Sequence, residues 1–314
     1  MTDGTVLKEA VFEAMEVGEE LGPIELVVDD HAVKRFAFTV DDYHPWTSGE
    51  ESPFGGRVAH ASLLVPDLLR LLNTVYDPNT EVGLHQKEEV WFHSPVRIGE
   101  RVRLTGSFTG KYVKRGKGYI VTDAEARSLE DGRLLVRHQS IEIARVDPDI
   151  QLGGGTGAPT TAARFVEGAW PEGVPLGDRV TAGVAVGTPF TGRPKQLHQD
   201  QMSVFSNVQA FWRNIHTDVD VARKAGSDRT IAQGLMLSMY ISELGTDLFG
   251  ASWFSTGWTL HTFLHPVFAG DTVTARAVVV EAPEPEPGRV ELEVWLENQD
   301  GVRVAVGWIG AAAG

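Results

Sequence analysis

The chain contains no cysteine, which excludes disulfides, thiolate metal sites and cysteine nucleophiles. Long apolar runs are missing too. No stretch approaches the ~20 residues that a membrane-spanning helix needs. The opening Met1-Thr2-Asp3-Gly4 lacks the basic-then-apolar pattern of a signal peptide, so the expectation is a cytoplasmic protein without a membrane partner. Positive charge is scarce: 28 Lys and Arg stand against 43 Asp and Glu, for a net charge of −15 and a pI of about 5.1. Nucleic acid is thereby disfavoured as a partner, because binding it needs a basic field. What is present is ordinary globular material, 42% hydrophobic and 23% charged over 314 residues, enough for roughly two domains.

The chain repeats itself. Ser94-Pro95-Val96-Arg97-Ile98-Gly99-Glu100-Arg101-Val102 is similar to His265-Pro266-Val267-Phe268-Ala269-Gly270-Asp271-Thr272-Val273. Val58-Ala59-His60-Ala61 pairs with Ile231-Ala232-Gln233-Gly234, and Asp131-Gly132 pairs with Asp300-Gly301. All three pairs lie about 170 positions apart, the signature of a tandem duplication. In each copy a small-residue turn opens an apolar helix, marked by Leu64, Leu68, Leu71, Leu72 and Val75 in the first and by Leu237, Ile241, Leu244 and Leu248 in the second. Pro66 belongs in the first turns of its helix or kinks it. Strands follow, alternating at Val102, Leu104, Gly106 and Phe108 and at Val290, Leu292, Val294 and Leu296. The Asp-Gly pairs are hairpin turns before a last strand, Leu134–Ile143 or Val302–Trp308. One helix and several antiparallel strands per copy predict an α+β module. Between the copies, Asp147 to Arg193 is rich in Gly, Pro, Thr and Ala and reads as a linker. Its Gly153-Gly154-Gly155 run lacks the strand-and-helix context of a phosphate loop.

Chemistry concentrates around Asn214-Ile215-His216-Thr217-Asp218. His216 is the expected acid–base residue, since an imidazole titrates near neutrality; the alternative is a histidine that only holds its loop. Asp218 either orients His216 or, like Asp220, reads as an N-cap before Val221-Ala222-Arg223. Asn214 either donates to a substrate carbonyl or closes a turn. Gly234 opens the apolar helix, where a backbone N–H suits a developing oxyanion, or it marks close packing. Gln233 adds an amide. Phe211, Trp212 and Arg213 are expected at the substrate, the two aromatics as pocket wall or core. Gln199, Asp200, Gln201 and Ser203 are polar enough to line the mouth. Lys111, Lys114, Arg115 and Lys117 form a basic patch that reads either as phosphate contacts or as a solvated hairpin tip; Arg223, Lys224 and Arg229 are alternatives. No metal is expected: His261 and His265 are spaced i, i+4, but in a strand-like segment where side chains alternate faces.

Both copies resemble MaoC-like hot-dog domains, the group that includes R-specific enoyl-CoA hydratases and 3-hydroxyacyl-thioester dehydratases. The resemblance rests on Met15-Glu16-Val17-Gly18-Glu19-Glu20-Leu21-Gly22, on residues 98–145 with Gly99-Glu100 and Tyr112 to Gly118, on His216-Thr217-Asp218 through Gln233-Gly234, and on Pro266-Val267 with Gly270-Asp271. It implies a double hot-dog fold, each half an antiparallel sheet wrapped around a central helix. Residues 1–147 would be an N-terminal, degenerate hot-dog, 148–180 a linker, and 181–314 the C-terminal MaoC-like half with the active-site motif. The family's hydratases carry an Asp, four residues, then a His. Here His216 is kept while Phe211 occupies the Asp position. In the first half Asp42 fits the Asp position and Thr47 replaces the His; Asp42 is either a surviving acid or substrate contact, or a loop residue. Neither half holds the complete dyad.

The resemblance implies a hydro-lyase working on the alpha–beta bond of an acyl thioester, CoA-bound or on a carrier protein, without a cofactor. His216 would move the proton, the Gly234 N–H would hold the enolate oxygen, and Asn214 and Asp218 would orient groups. Two other readings keep the fold: an isomerase or cyclase of a biosynthetic acyl intermediate, and a non-catalytic acyl-thioester binder or structural partner subunit. Fusion makes one chain equivalent to a hot-dog dimer and leaves a homodimer of chains open.

Overall fold

The computed structural model describes residues 6–49, 52–80, 83–147, 150–153, 165–206, 213–282 and 288–313. Its first half holds β1 (Glu20–Val27), α1 (Asp30–Val40), α2 (Pro45–Ser48), α3 (Val65–Leu69), β2 (Leu84–Phe92), β3 (Arg101–Lys114), β4 (Lys117–Ser128) and β5 (Leu134–Ala144). The second holds β6 (Pro189–Thr191), β7 (Lys195–Gln196), α4 (Gln199–Phe205), α5 (Val219–Lys224), α6 (Gly234–Phe249), α7 (Trp253–Thr256), β8 (Trp258–Phe263), β9 (Thr272–Glu281), β10 (Arg289–Asn298) and β11 (Arg303–Ala312).

All strands join one 11-stranded antiparallel sheet in the order β1-β3-β4-β5-β2-β8-β11-β10-β9-β6, with β7 also on β9. The halves meet where β2 pairs with β8, Glu88 opposite His261 and Val90 opposite Thr259. Alternation drives the strands. Val102, Leu104 and Phe108 on β3, and Val290, Leu292, Val294 and Leu296 on β10, point inward and are buried. The hairpins form as their residues dictate. Gly132 and Gly301 adopt φ of 74° and 73°, while Arg115 and Gly116 take φ of 53° and 71° at the tip between β3 and β4. Positive φ at both central residues suits a two-residue hairpin turn.

The duplication is visible in equivalent hydrogen bonds. Ala59 N–H donates to Val96 C=O at 2.9 Å, and Ala232 N–H to Val267 C=O at 2.7 Å. The repeated Gly-acid pairs are structural. The Glu100 carboxylate accepts from Arg97 N–H at 2.9 Å, and that of Asp271 from Phe268 N–H at 3.0 Å. Each closes the turn that leads into its long strand.

The two central helices differ. α6 is buried over nearly its whole length, and Trp253 packs directly on Gly245. The first-half helix is far shorter than its apolar spacing predicts. Only Val65–Leu69 is α-helical, with Pro66 in its first turn, and Arg70–Thr74 continues as 3-10 helix. Thr74 Oγ1 donates to Leu71 C=O at 2.7 Å and accepts from Gly22 N–H at 2.8 Å. Such side-chain bonds compete with continued α-helix.

Candidate functional site

α6 begins at Gly234, with Gln233 at its N-cap position. The first N–H groups of a helix have no partner within it, so the Gly234 N–H and its neighbour lie at the positive end of the helix dipole. A glycine is needed here for space: a Cβ would sit 3.0 Å from the Phe263 ring. Gln233 is fixed by its side-chain amide, which donates to Ser206 Oγ at 2.8 Å.

His216 approaches this helix start through Ile231, three residues upstream of Gly234. Its Nδ1 lies 2.7 Å from the Ile231 carbonyl oxygen. A carbonyl can only accept, so Nδ1 carries the proton and Nε2 keeps its lone pair. Burial lowers the His216 pKa below its usual 6.5, partly offset by the bond to Ile231. The ring is therefore a neutral, oriented base. Its loop is held tightly: Asn214 Oδ1 accepts from His216 N–H at 2.9 Å, and the Gln199 amide donates to the His216 carbonyl at 2.9 Å.

The other residues singled out in the sequence take distinct places. Asn214 closes the turn, its carbonyl accepting from Thr217 and Asp218 N–H. Asp218 is the N-cap of α5, accepting from Asp220 and Val221 N–H, and it also pairs with Arg213. Its carboxylate is thus engaged at the cap and at Arg213, not at the imidazole. Phe211 and Trp212 lie outside the described residues. Asp200 is exposed in the first turn of α4. Gln201 is buried and donates to Phe38 C=O at 2.9 Å. Lys111 is a structural residue, donating to Met15 C=O at 2.7 Å and lying over the Phe12 ring. Arg223, Lys224 and Arg229 are exposed beside the His216 loop. His261 is buried in β8 and His265 is exposed beyond it.

Asp42 belongs to a separate cluster. Its Oδ2 is 3.5 Å from His60 Nε2, and both side chains are buried. Close by, Glu243 of α6 is held by Lys195 at 2.7 Å and by Arg193, and Lys195 Nζ donates to the Asp41 carbonyl at 2.5 Å. Burial and the nearby Asp42 push Glu243 up to about 7, against the pull of Lys195 and Arg193. Glu243 stands nine residues beyond Gly234, about 13 Å along the helix. The Asp42 cluster and the His216 site are therefore two places, and the structure does not bring Asp42 to His216. Sequence reading missed His60, Lys195 and Glu243, because their meeting depends on docking of the two halves.

The MaoC like domain family model matches residues 181–296, the stretch that contains His216 and Gly234. Nodulation protein N of Rhizobium leguminosarum bv. viciae is 36% identical over 120 residues, covering 35% of this chain and 73% of that protein. Among solved structures, a MaoC-like dehydratase superposes with a TM-score of 0.70 at 16% identity, covering 96% of this chain and all of the other. A Mycobacterium tuberculosis protein described as having a double hotdog fold superposes with a TM-score of 0.63 at 14% identity, covering 96% of this chain and 98% of that one. These likenesses agree with the single wrapped sheet and its two helix-bearing halves: the chain belongs to the MaoC-like dehydratase family and has the α+β double hot-dog fold.

Proposed function

We propose that the protein is a hydro-lyase that adds or removes water across the alpha–beta bond of an acyl thioester. The observation that carries this reading is the tautomer of His216. The Ile231 carbonyl fixes the proton on Nδ1 and leaves Nε2 as a base on a ring tied three residues upstream of Gly234, the first residue of α6. In hydration, Nε2 takes a proton from water as the oxygen bonds to the beta carbon. The alpha–beta electron pair moves toward the thioester carbonyl, and the enolate oxygen is held by the Gly234 N–H. The imidazolium then returns a proton to the alpha carbon, and dehydration is the reverse. Asn214 and Gln199 hold the loop that aims the ring.

One further feature supports an acyl thioester. The exposed Arg213, Arg223, Lys224 and Arg229 suit the phosphates of CoA or of a carrier-protein arm. Product analysis by mass tests the reaction type. Incubation with crotonyl-CoA is expected to add the mass of one water, and a product of unchanged mass and altered structure would make the protein an isomerase or cyclase.

A further inference from the structure

The seam between the halves should be the driest part of the sheet, yet its inner face is a strip of polar side chains. On β5, β2 and β8, Ser140 lies directly opposite Glu88, and Glu88 directly opposite His261. His138 sits two residues along β5 from Ser140. All four are buried, Glu88 and Ser140 completely. A register shift between His85 and Lys87 brings His85 onto the same face, where its Nδ1 pairs with Glu142 at 2.8 Å.

Part of the strip is satisfied. Ser238, one turn into α6, donates its hydroxyl to Glu88 Oε2 at 2.6 Å. Its oxygen lies 2.5 Å from His261 Nε2. The single serine proton is used on Glu88, so His261 Nε2–H is the donor to Ser238. Burial opposes charge on Glu88, but the surrounding imidazoles of His261, His138 and His85 hold its pKa down at about 2, whereas burial drives His138 down to about 4. The strip thus faces inward with a carboxylate and a neutral imidazole.

Among the described residues, Glu88 Oε1, both ring nitrogens of His138 and Ser140 Oγ are buried without a hydrogen bond. Buried polar atoms are costly when left alone, and the convergence of these four suits a polar guest. Glu88 Oε1 and His138 Nε2 stand 3.9 Å apart, too far for a direct hydrogen bond but suited to one oxygen bridging them. The strip also adjoins the proposed reaction centre. Phe263 packs against Gly234, and His85 and His261 meet the same ring edgewise at 5.2 and 5.4 Å. On its far side Glu142 helps to line a small apolar recess with Met15, Leu69 and Leu72.

We propose that this seam is a specificity subsite for a hydroxyl group carried on the acyl chain, the hydroxyl donating to Glu88 Oε1 and accepting from His138. The inference rests on the acyl-thioester reading above and narrows it to hydroxylated acyl groups. A carboxylate guest is disfavoured by the charge of Glu88, and an unsubstituted chain would leave the strip unpaired.

Calorimetric titration of the full chain with hexanoyl-CoA and with 4-, 5- and 6-hydroxyhexanoyl-CoA tests it. At least one hydroxylated probe should bind about tenfold more tightly than hexanoyl-CoA, the worth of one good hydrogen bond. His138→Phe and the milder Ser140→Ala should reduce that preference while hexanoyl-CoA affinity stays within about twofold. Equal affinity for all four probes overturns the subsite alone, as does a full preference surviving in every variant that folds. Binding of none of the four overturns the acyl-thioester reading and the subsite with it.

Discussion

The imidazole of His216 donates from Nδ1 to the backbone carbonyl of Ile231 at 2.7 Å. This bond does the orienting that a carboxylate does in many acid–base sites, and Ile231 lies three residues before Gly234, where α6 begins. A carbonyl fixes the tautomer without adding a full negative charge, so nothing raises the imidazole pKa strongly. Burial is left to lower it.

The pH profile should show this. The base is the neutral ring, and its folded-state pKa lies below the usual 6.5. As pH falls, activity therefore persists past 6.5 and is lost only below it. The acid limb of kcat/KM for crotonyl-CoA hydration reads this directly, and a limb above 6.5 would mean that an acid partner is present at the ring.

Asp218 and His216 should separate cleanly. Asp218 caps α5 and pairs with Arg213. Asp218→Ala is expected to lower the melting temperature while leaving kcat close to wild type, and Asp218→Asn should keep the cap. A kcat loss for both variants, as large as that of a His216 variant, would place the carboxylate in the chemistry.

Glu243 should give stability a pH dependence of its own. Its folded pKa of about 7 stands above the ordinary 4.5, so between these values the folded chain binds more protons than the unfolded one. The contribution is fully present below about 4.5 and is lost as pH rises through about 7. Urea unfolding at pH 5 and pH 8 measures it. Glu243→Gln should flatten the difference, and a variant with the wild-type difference would place its origin elsewhere.

Lys195 joins the halves. Its buried ammonium serves both Glu243 and the Asp41 carbonyl. Lys195→Met is expected to cost about 3–5 kcal/mol, because it strands a buried carboxyl and a carbonyl. Chemical denaturation checks this, and a loss below ~1 kcal/mol would show that the cluster is solvated.

Much of the fold was legible because its signals are local. Asp131-Gly132 and Asp300-Gly301 make the hairpins their residue types require, and the alternation of Val290 to Leu296 faces the core as read. The α-helix after Ala61 was overestimated: its leucines carry the right spacing, but Pro66 and the tied-down Thr74 confine it to a short helix and a 3-10 turn. At the site, the sequence named His216 and Gly234 but could not show that Ile231 links them. Glu88 and His138 escaped notice, and His261 was weighed only for its i, i+4 spacing to His265. They meet only because β2 pairs with β8 across the duplication, and nothing near any one of them in the chain marks the encounter.

The most direct test follows the loss of enoyl-thioester absorbance with crotonyl-CoA for the wild-type chain and for His216→Ala, with circular dichroism to show that both are folded. The account expects hydration by the wild type and a loss of at least ~10²-fold in kcat/KM for the variant, the usual worth of a positioned general base. A folded His216→Ala protein that hydrates crotonyl-CoA at the wild-type rate would contradict it.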